Sequence, residues 1–135
     1  MVSEKAKALL RDYIESFEQL EILLLLHRRR GDTLGADSVV TELKLGLDSV
    51  DDALAHLARA HLIAVRAESP RLFQYGPANS VMDAAVGDLA GAYDDNRLEV
   101  INLMNTNAIE RVRTSAMRAF ANSFLLGGGG KKNDG

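Results

Sequence analysis

Residues 39–65 read VVTELKLGLDSVDDALAHLARAHLIAV, and RLFQY follows at 71–75. Two apolar periods meet in this stretch. Val39, Leu43 and Leu45 stand eleven, seven and five residues before Val50, and Leu54, Leu57 and Leu62 stand four, seven and twelve after it. Steps of three, four and seven put side chains on one face of a helix. Gly46 interrupts the series inside the tight turn Lys44-Leu45-Gly46-Leu47, so the pattern describes two short helices offset across a glycine. Asp37 is the expected N-cap of the first, with Val39, Val40 and Leu43 turned inward. Asp48 or Ser49 is the expected cap of the second, Ser49 with Asp52 making a near capping box. After Leu62 the period shortens to about two. Residues 62–66 and 71–75 read as strands, joined through 67–70 and stopped by Gly76-Pro77.

Working outward, Leu9, Leu10, Tyr13, Ile14, Phe17, Leu20 and Ile22 to Leu26 recur at helical steps, so the first 30 residues read as helical. This stretch is expected to close on Arg28-Arg29-Arg30, a basic last turn, with Gly31 as a left-handed cap. Thr33 and Leu34 in the link that follows suffice for a stub of strand. Beyond the ribbon, Asn79 or Ser80 starts a helix carrying Val81, Ala85, Leu89, Ala92, Val100, Ile101 and Met104. It is expected to run unbroken to about Met104, with 94–96 the place where it would break. Asn107 and Glu110 form a second capping-box pattern that would open a last helix over 108–124. Residues 127–135 hold five of the eleven glycines and read as a disordered tail.

Helix, short strand, helix, glycine turn, helix and two-stranded ribbon, in that order and with the spacing around Val50, resemble the winged helix-turn-helix domain of MarR- and ArsR-type transcriptional regulators. The resemblance covers about residues 13 to 77, roughly half the chain. It implies a mainly α fold with a small β-ribbon, a winged domain over 1–77 and a helical, dimerising extension over 78–126. It also implies double-stranded DNA as a partner, with the third helix in the major groove and the ribbon on the backbone. Lys44, Ser49, His56, Arg59, Arg66 and Arg71 are the DNA-contact candidates under that resemblance, and Asp51, Asp52 and Ala53 would share the outward face of the third helix.

Charge points the other way. From Lys44 to Tyr75 four bases face four acids, where a phosphate-binding surface calls for a basic surplus. Asp51 and Asp52 have a structural role available to them, since acids near a helix N-terminus complement its dipole. The alternative function is therefore a winged-helix protein-interaction module whose acidic third helix docks a partner protein. The chain as a whole has a net charge of −3 and 5% aromatic residues, which excludes a generally basic nucleic-acid binder and a base-stacking single-strand binder.

With no cysteine, disulfide scaffolds, iron–sulfur centres and thiol nucleophiles are excluded. The longest apolar run near the start is Ile22 to Leu26, far short of the ~20 residues of a membrane span. A soluble, cytoplasmic protein with no membrane partner is the expectation. Asp52 and His56 stand one helical turn apart, but two ligands make no metal site. His61 falls where winged helices often end the third helix with glycine, and reads as a cap residue. Asp95 and Glu99 share a helical face without a nucleophile or oxyanion hole beside them, so they read as a solvated acidic surface. Gly127 to Gly130 follow a helix rather than joining strand to helix, and make no phosphate loop. Neither an enzyme nor a cofactor is expected. A homodimer is, because the helices after Ser80 carry more apolar surface than one small domain covers. Leu89, Val100, Ile101, Met104, Val112 and Phe120 are its candidate contacts.

Overall fold

The computed structural model describes residues 1–124. It is mainly helical, with six helices and one small antiparallel sheet: α1 (Glu4–Tyr13), α2 (Phe17–Arg28), β1 (Leu34–Gly35), α3 (Ala36–Leu43), α4 (Leu47–Arg59), β2 (Ile63–Glu68), β3 (Arg71–Tyr75), α5 (Ser80–Asp95) and α6 (Arg97–Asn122). The strand order is β1-β3-β2. Phe73 of the central strand pairs with Leu34 on one side and Val65 on the other.

The two-period stretch folds as its spacing requires. Val39, Val50, Leu54, Leu57 and Leu62 are all fully or almost fully buried, and Val40, Leu43 and Leu45 pack partly buried against them. The turn between α3 and α4 is made by Lys44, which takes the left-handed conformation (φ 57°) and donates its N–H to the Val40 carbonyl at 2.8 Å. Neither helix starts on the expected cap. α3 begins after Gly35 and α4 after Gly46, both extended and neither with a side-chain cap, so Asp37 and Asp48 lie in the first turns instead. There they still complement the helix dipole. Ala53, expected on the outward face of α4, is 3% exposed and belongs to the core.

The N-terminal stretch is two helices. Ile14 and Ser16 adopt extended backbone, and Ser16 Oγ accepts the Gln19 N–H at 3.1 Å. The Gln19 side chain reaches back to accept the Glu15 N–H at 2.7 Å. These two bonds satisfy donors that the break leaves open. The end of α2 also differs from the expected left-handed glycine: no described glycine has a positive φ, and Arg29 itself caps α2 through its N–H to Leu25. Arg29 then binds Asp32 at 3.1 Å and Glu42 of α3 at 2.8 Å, and Arg30 donates to the His27 carbonyl. Two of the three arginines are thus engaged within the fold.

The expected unbroken helix from Ser80 to Met104 is interrupted. Asn96 leaves the helical conformation (φ −153°, ψ 79°), ends α5 through its N–H to Ala92, and accepts the Glu99 N–H at 3.2 Å to begin α6. From there α6 runs continuously past Asn107, which caps nothing. The described residues form two compact units, the first ending at Met104 and the second beginning at Asn105. The first includes α5, which packs on α1, so the compact body extends past the ribbon to Met104. Leu89 and Val100, both 0% exposed, belong to its core together with Ala85, Val86, Ala92 and Tyr93. Those two residues are therefore unavailable as dimer contacts; Met104 is half-buried against the same core, and Ile101 is half-buried. The expected disordered tail at 127–135 lies outside the described residues. No described helix is long and apolar enough to cross a membrane.

Candidate functional site

The outward face of α4 and the ribbon β2–β3 form the surface on which the sequence places its contact residues. Ser49, Asp51, Asp52 and Arg59 are exposed on α4, Lys44 is exposed in the turn before it, and Arg66 and Arg71 are exposed on the ribbon. The sixth candidate is employed elsewhere. His56 Nε2 lies 2.6 Å from the Tyr13 carbonyl. A carbonyl only accepts, so Nε2 carries the proton, and His56 joins α4 to the break between α1 and α2. His56 is a structural link, and its ring is not free to read a base edge.

The ribbon is held rigidly at its root. The pairing slips between Val65 and Ala67, leaving Arg66 as the extra residue of a bulge. Such a residue leaves the ladder and its side chain is re-aimed. Arg66 Nε donates to Gln74 Oε1 across the ribbon at 2.8 Å, and Gln74 Nε2 donates to the Arg30 carbonyl at the end of α2 at 3.1 Å. Next to this relay, Tyr75 donates its hydroxyl to Asp83 of α5 at 2.6 Å, and the His27 ring meets the Tyr75 ring edge-on at 5.0 Å. Burial, reinforced by the bond to Asp83, pushes the Tyr75 hydroxyl well above the usual phenol range. Burial, then the nearby Arg30 charge, lowers His27, which keeps this ring neutral at pH 7. Sequence periodicity missed Gln74 and Asp83 because both are polar residues on elements recognised by their apolar ones. The only available signal was a glutamine inside an alternating strand.

Between the start of α3, α4 and the ribbon lies an open groove of about 600 Å³, lined by Gly35 to Ser38, Asp51 and Pro70 to Phe73. Its charged walls are Asp37 and Asp51 against Arg71, and Arg71 is itself 3.4 Å from Glu68. Counting α3 together with α4 and the ribbon, residues 36–75 carry six acids against four bases. Among the described residues no three His, Asp or Glu side chains converge to hold a metal ion. The helix that follows has a different surface: Val112 and Phe120 are 70% and 73% exposed. Comparison with family models, with curated proteins and with solved structures gives no match.

Proposed function

We propose that the chain is a winged helix-turn-helix regulator that acts as a homodimer on double-stranded DNA through α4 and the β2–β3 ribbon. One observation carries this: a helix, a strand stub, two helices offset across Lys44–Gly46 and a ribbon occur in that order, and the stub pairs with the second ribbon strand to give the order β1-β3-β2. That arrangement leaves one face of α4 and both ribbon strands open on the same compact unit, which suits a helix for the major groove and a ribbon for the backbone. Lys44, Ser49, Arg59, Arg66 and Arg71 remain exposed for that role. The anchoring of Gln74 to the end of α2 and of Tyr75 to α5 holds the ribbon, and of the contact candidates only Arg66 takes part, through Gln74.

A second function is favoured by a specific observation, the acid surplus on α3 and α4. Asp37, Glu42, Asp48, Asp51 and Asp52 are all exposed there. In this case the same face docks a basic partner protein and the fold is a protein-interaction module. A titration of the full chain with mixed duplex DNA fragments, followed by fluorescence anisotropy over a series of salt concentrations, separates the two. For a DNA regulator, binding is expected at low salt with a log–log slope of about −0.9 for each phosphate neutralised. Absence of binding at low salt, where attraction between opposite charges is strongest, overturns the DNA function.

A further inference from the structure

We infer that the two copies of the homodimer pair through the distal half of α6, antiparallel, with Ala116 on the two-fold axis. This rests on the homodimer proposed above, and is independent of whether duplex DNA is bound.

From Asn105 onward, Ile109, Val112, Ala116, Phe120 and Phe124 follow one another at steps of three and four, so they share one face of the helix. The large ones are open to solvent: Ile109 is 60% exposed, Val112 70%, Phe120 73% and Phe124 71%, with Met117 on the flank at 66%. With side chains of this size, the five expose on the order of 600–700 Å² of apolar surface per copy. The largest patch on a typical soluble monomer is about 300–600 Å². Two such stripes facing each other bury on the order of 1,300 Å² in total, within the range of about 1,200–2,000 Å² found for stable interfaces. The area is what a dimer requires.

The pattern is also self-complementary, as an interface repeated by a two-fold axis has to be. Taken outward from Ala116, Val112 lies four residues before it and Phe120 four after. In an antiparallel pair centred there, each Val112 meets the second copy's Phe120. Each Phe124 then lies beside the second copy's Ile109. The small side chain at the centre lets the helix axes approach to the lower end of the usual range of about 8–10 Å. Phe120 and Phe124 stack at 6.2 Å with their rings 15° apart and form the aromatic edge of the stripe.

Charge does not oppose the pairing. The helical period puts Arg111 and Arg118 on the face opposite the stripe, along with Asn107 and Thr114. The same period places Arg113 between Phe120 and Phe124, where it is 3.5 Å from Glu110 of its own helix. The five stripe residues are uncharged, and Glu110 offsets the one base within their arc, Arg113, so no net like charge is brought together. An acidic partner is disfavoured as occupant, because Arg111 and Arg118 point away from the apolar face and Arg113 is already engaged by Glu110.

The test uses the absence of cysteine from the full chain. Ala116→Cys and Thr114→Cys are oxidised mildly in parallel, and the unmodified protein and the double variant Val112→Asp with Phe120→Asp are sedimented to equilibrium. Expected are a parent sedimenting at twice 14.7 kDa, and a double variant that is monomeric with an unchanged far-UV spectrum. Ala116→Cys should cross-link at least about tenfold faster than Thr114→Cys, since a disulfide needs Cα atoms within about 7 Å. A monomeric parent, equal cross-linking of the two cysteine variants, or a dimer that survives the double variant would each overturn the pairing. None of these results depends on DNA. If Val112→Asp with Phe120→Asp loses helix, the cysteine comparison, made on a native-like stripe, still decides.

Discussion

Leu89 and Phe120 play the same part in the sequence, each an apolar residue on a helical stripe after Ser80, yet the structure separates them completely. Leu89 is 0% exposed and Phe120 73%. Leu89→Ala removes three carbons from a site closed by α1 and the rest of α5, and at about 0.8 kcal/mol per carbon the transfer loss is roughly 2.4 kcal/mol. The cavity left in a packed helical core raises the cost to about 3–4 kcal/mol. In a compact unit ending at Met104, each kcal/mol moves Tm by roughly 4 °C, so a fall of about 12–16 °C is expected. Phe120→Ala removes a ring that is mostly solvated and touches the equally exposed Phe124, and at concentrations too low for association it should change stability by less than about 0.5 kcal/mol. Its effect appears with concentration: the parent Tm rises as dimer forms and the variant Tm does not. Thermal and urea melts followed by far-UV circular dichroism over a range of protein concentrations measure both quantities. A Leu89→Ala variant within about 1 kcal/mol of the parent, or a Phe120→Ala variant equally damaged at the lowest concentration, would refute the assignment of one residue to the core and the other to the surface.

Three further outcomes are expected. Tyr93 donates its hydroxyl to Glu21 at 2.5 Å, joining α5 to α2, and burial followed by that bond pushes its pKa up to about 12 from the ordinary 10.0. Its folded pKa is the higher one, so its contribution is complete below pH 10 and is lost as the pH rises towards about 12. Tyr93→Phe should therefore lower stability at neutral pH by about 1–2 kcal/mol and flatten the alkaline limb in that window, measured by urea melts across pH. His61 is exposed with φ 62°, and His61→Gly should leave the fold unchanged and raise stability by up to about 1 kcal/mol in the same melts. Asp51→Asn with Asp52→Asn should tighten DNA binding at low salt, whereas Arg59→Ala and Arg71→Ala should each weaken it and flatten the salt slope by about one unit. Unchanged binding in all three variants would show that α4 and the ribbon are not the contact surface.

The parts of the fold that were legible in the sequence are those where one face alone is buried. Val39, Val50, Leu54, Leu57 and Leu62 announce α3, the turn and α4 because polar residues separate them, and every one is buried. Helix breaks were harder, because the apolar period continues across them. Ile14 is buried on one side of the first break and Leu20 on the other, and only the cap at Ser16 marks the interruption. The signal was present as Ser16 with Gln19, and again as Asn96 with Glu99. At the second break an equivalent pattern, Asn107 with Glu110, competed with it. The structure uses the first because Asp94 and Asp95 precede it. Acids at the end of α5 oppose that helix's dipole but favour the start of α6. The candidate contacts divide similarly. Exposure of Arg59, Arg66 and Arg71 follows from their charge, whereas the bond from His56 to Tyr13 spans 43 residues and leaves no local trace. Burial of Leu89 and Val100 needed knowledge of what lies against each helix, and a single stripe does not contain it.

Charge and assembly are coupled in whichever function this surface serves. Residues 1–104 hold 17 acids and 11 bases, a net −6, whereas residues 105–135 hold two acids and five bases, a net +3. A phosphate backbone approaching α4 meets Lys44 and Arg59 directly. It gains Arg66 and Arg71 only by competing with Gln74 and Glu68. Both partners are on the exposed ribbon, where an ion pair is worth about 0–1 kcal/mol, so the exchange costs little. If duplex DNA is the partner, so few bases would let each copy bind it no more tightly than the non-specific range of about 10⁻⁴–10⁻⁶ M. Two copies held together by the proposed α6 pairing would make the second contact intramolecular, which adds about 10²–10⁴ in avidity without a new arginine. For a DNA-binding function, then, the α6 stripe matters more to affinity than any single base on α4. Breaking the pair with Val112→Asp and Phe120→Asp should weaken binding far more than Arg59→Ala does. For a protein-docking function the order is reversed, because one acidic face engages one partner and needs no second copy.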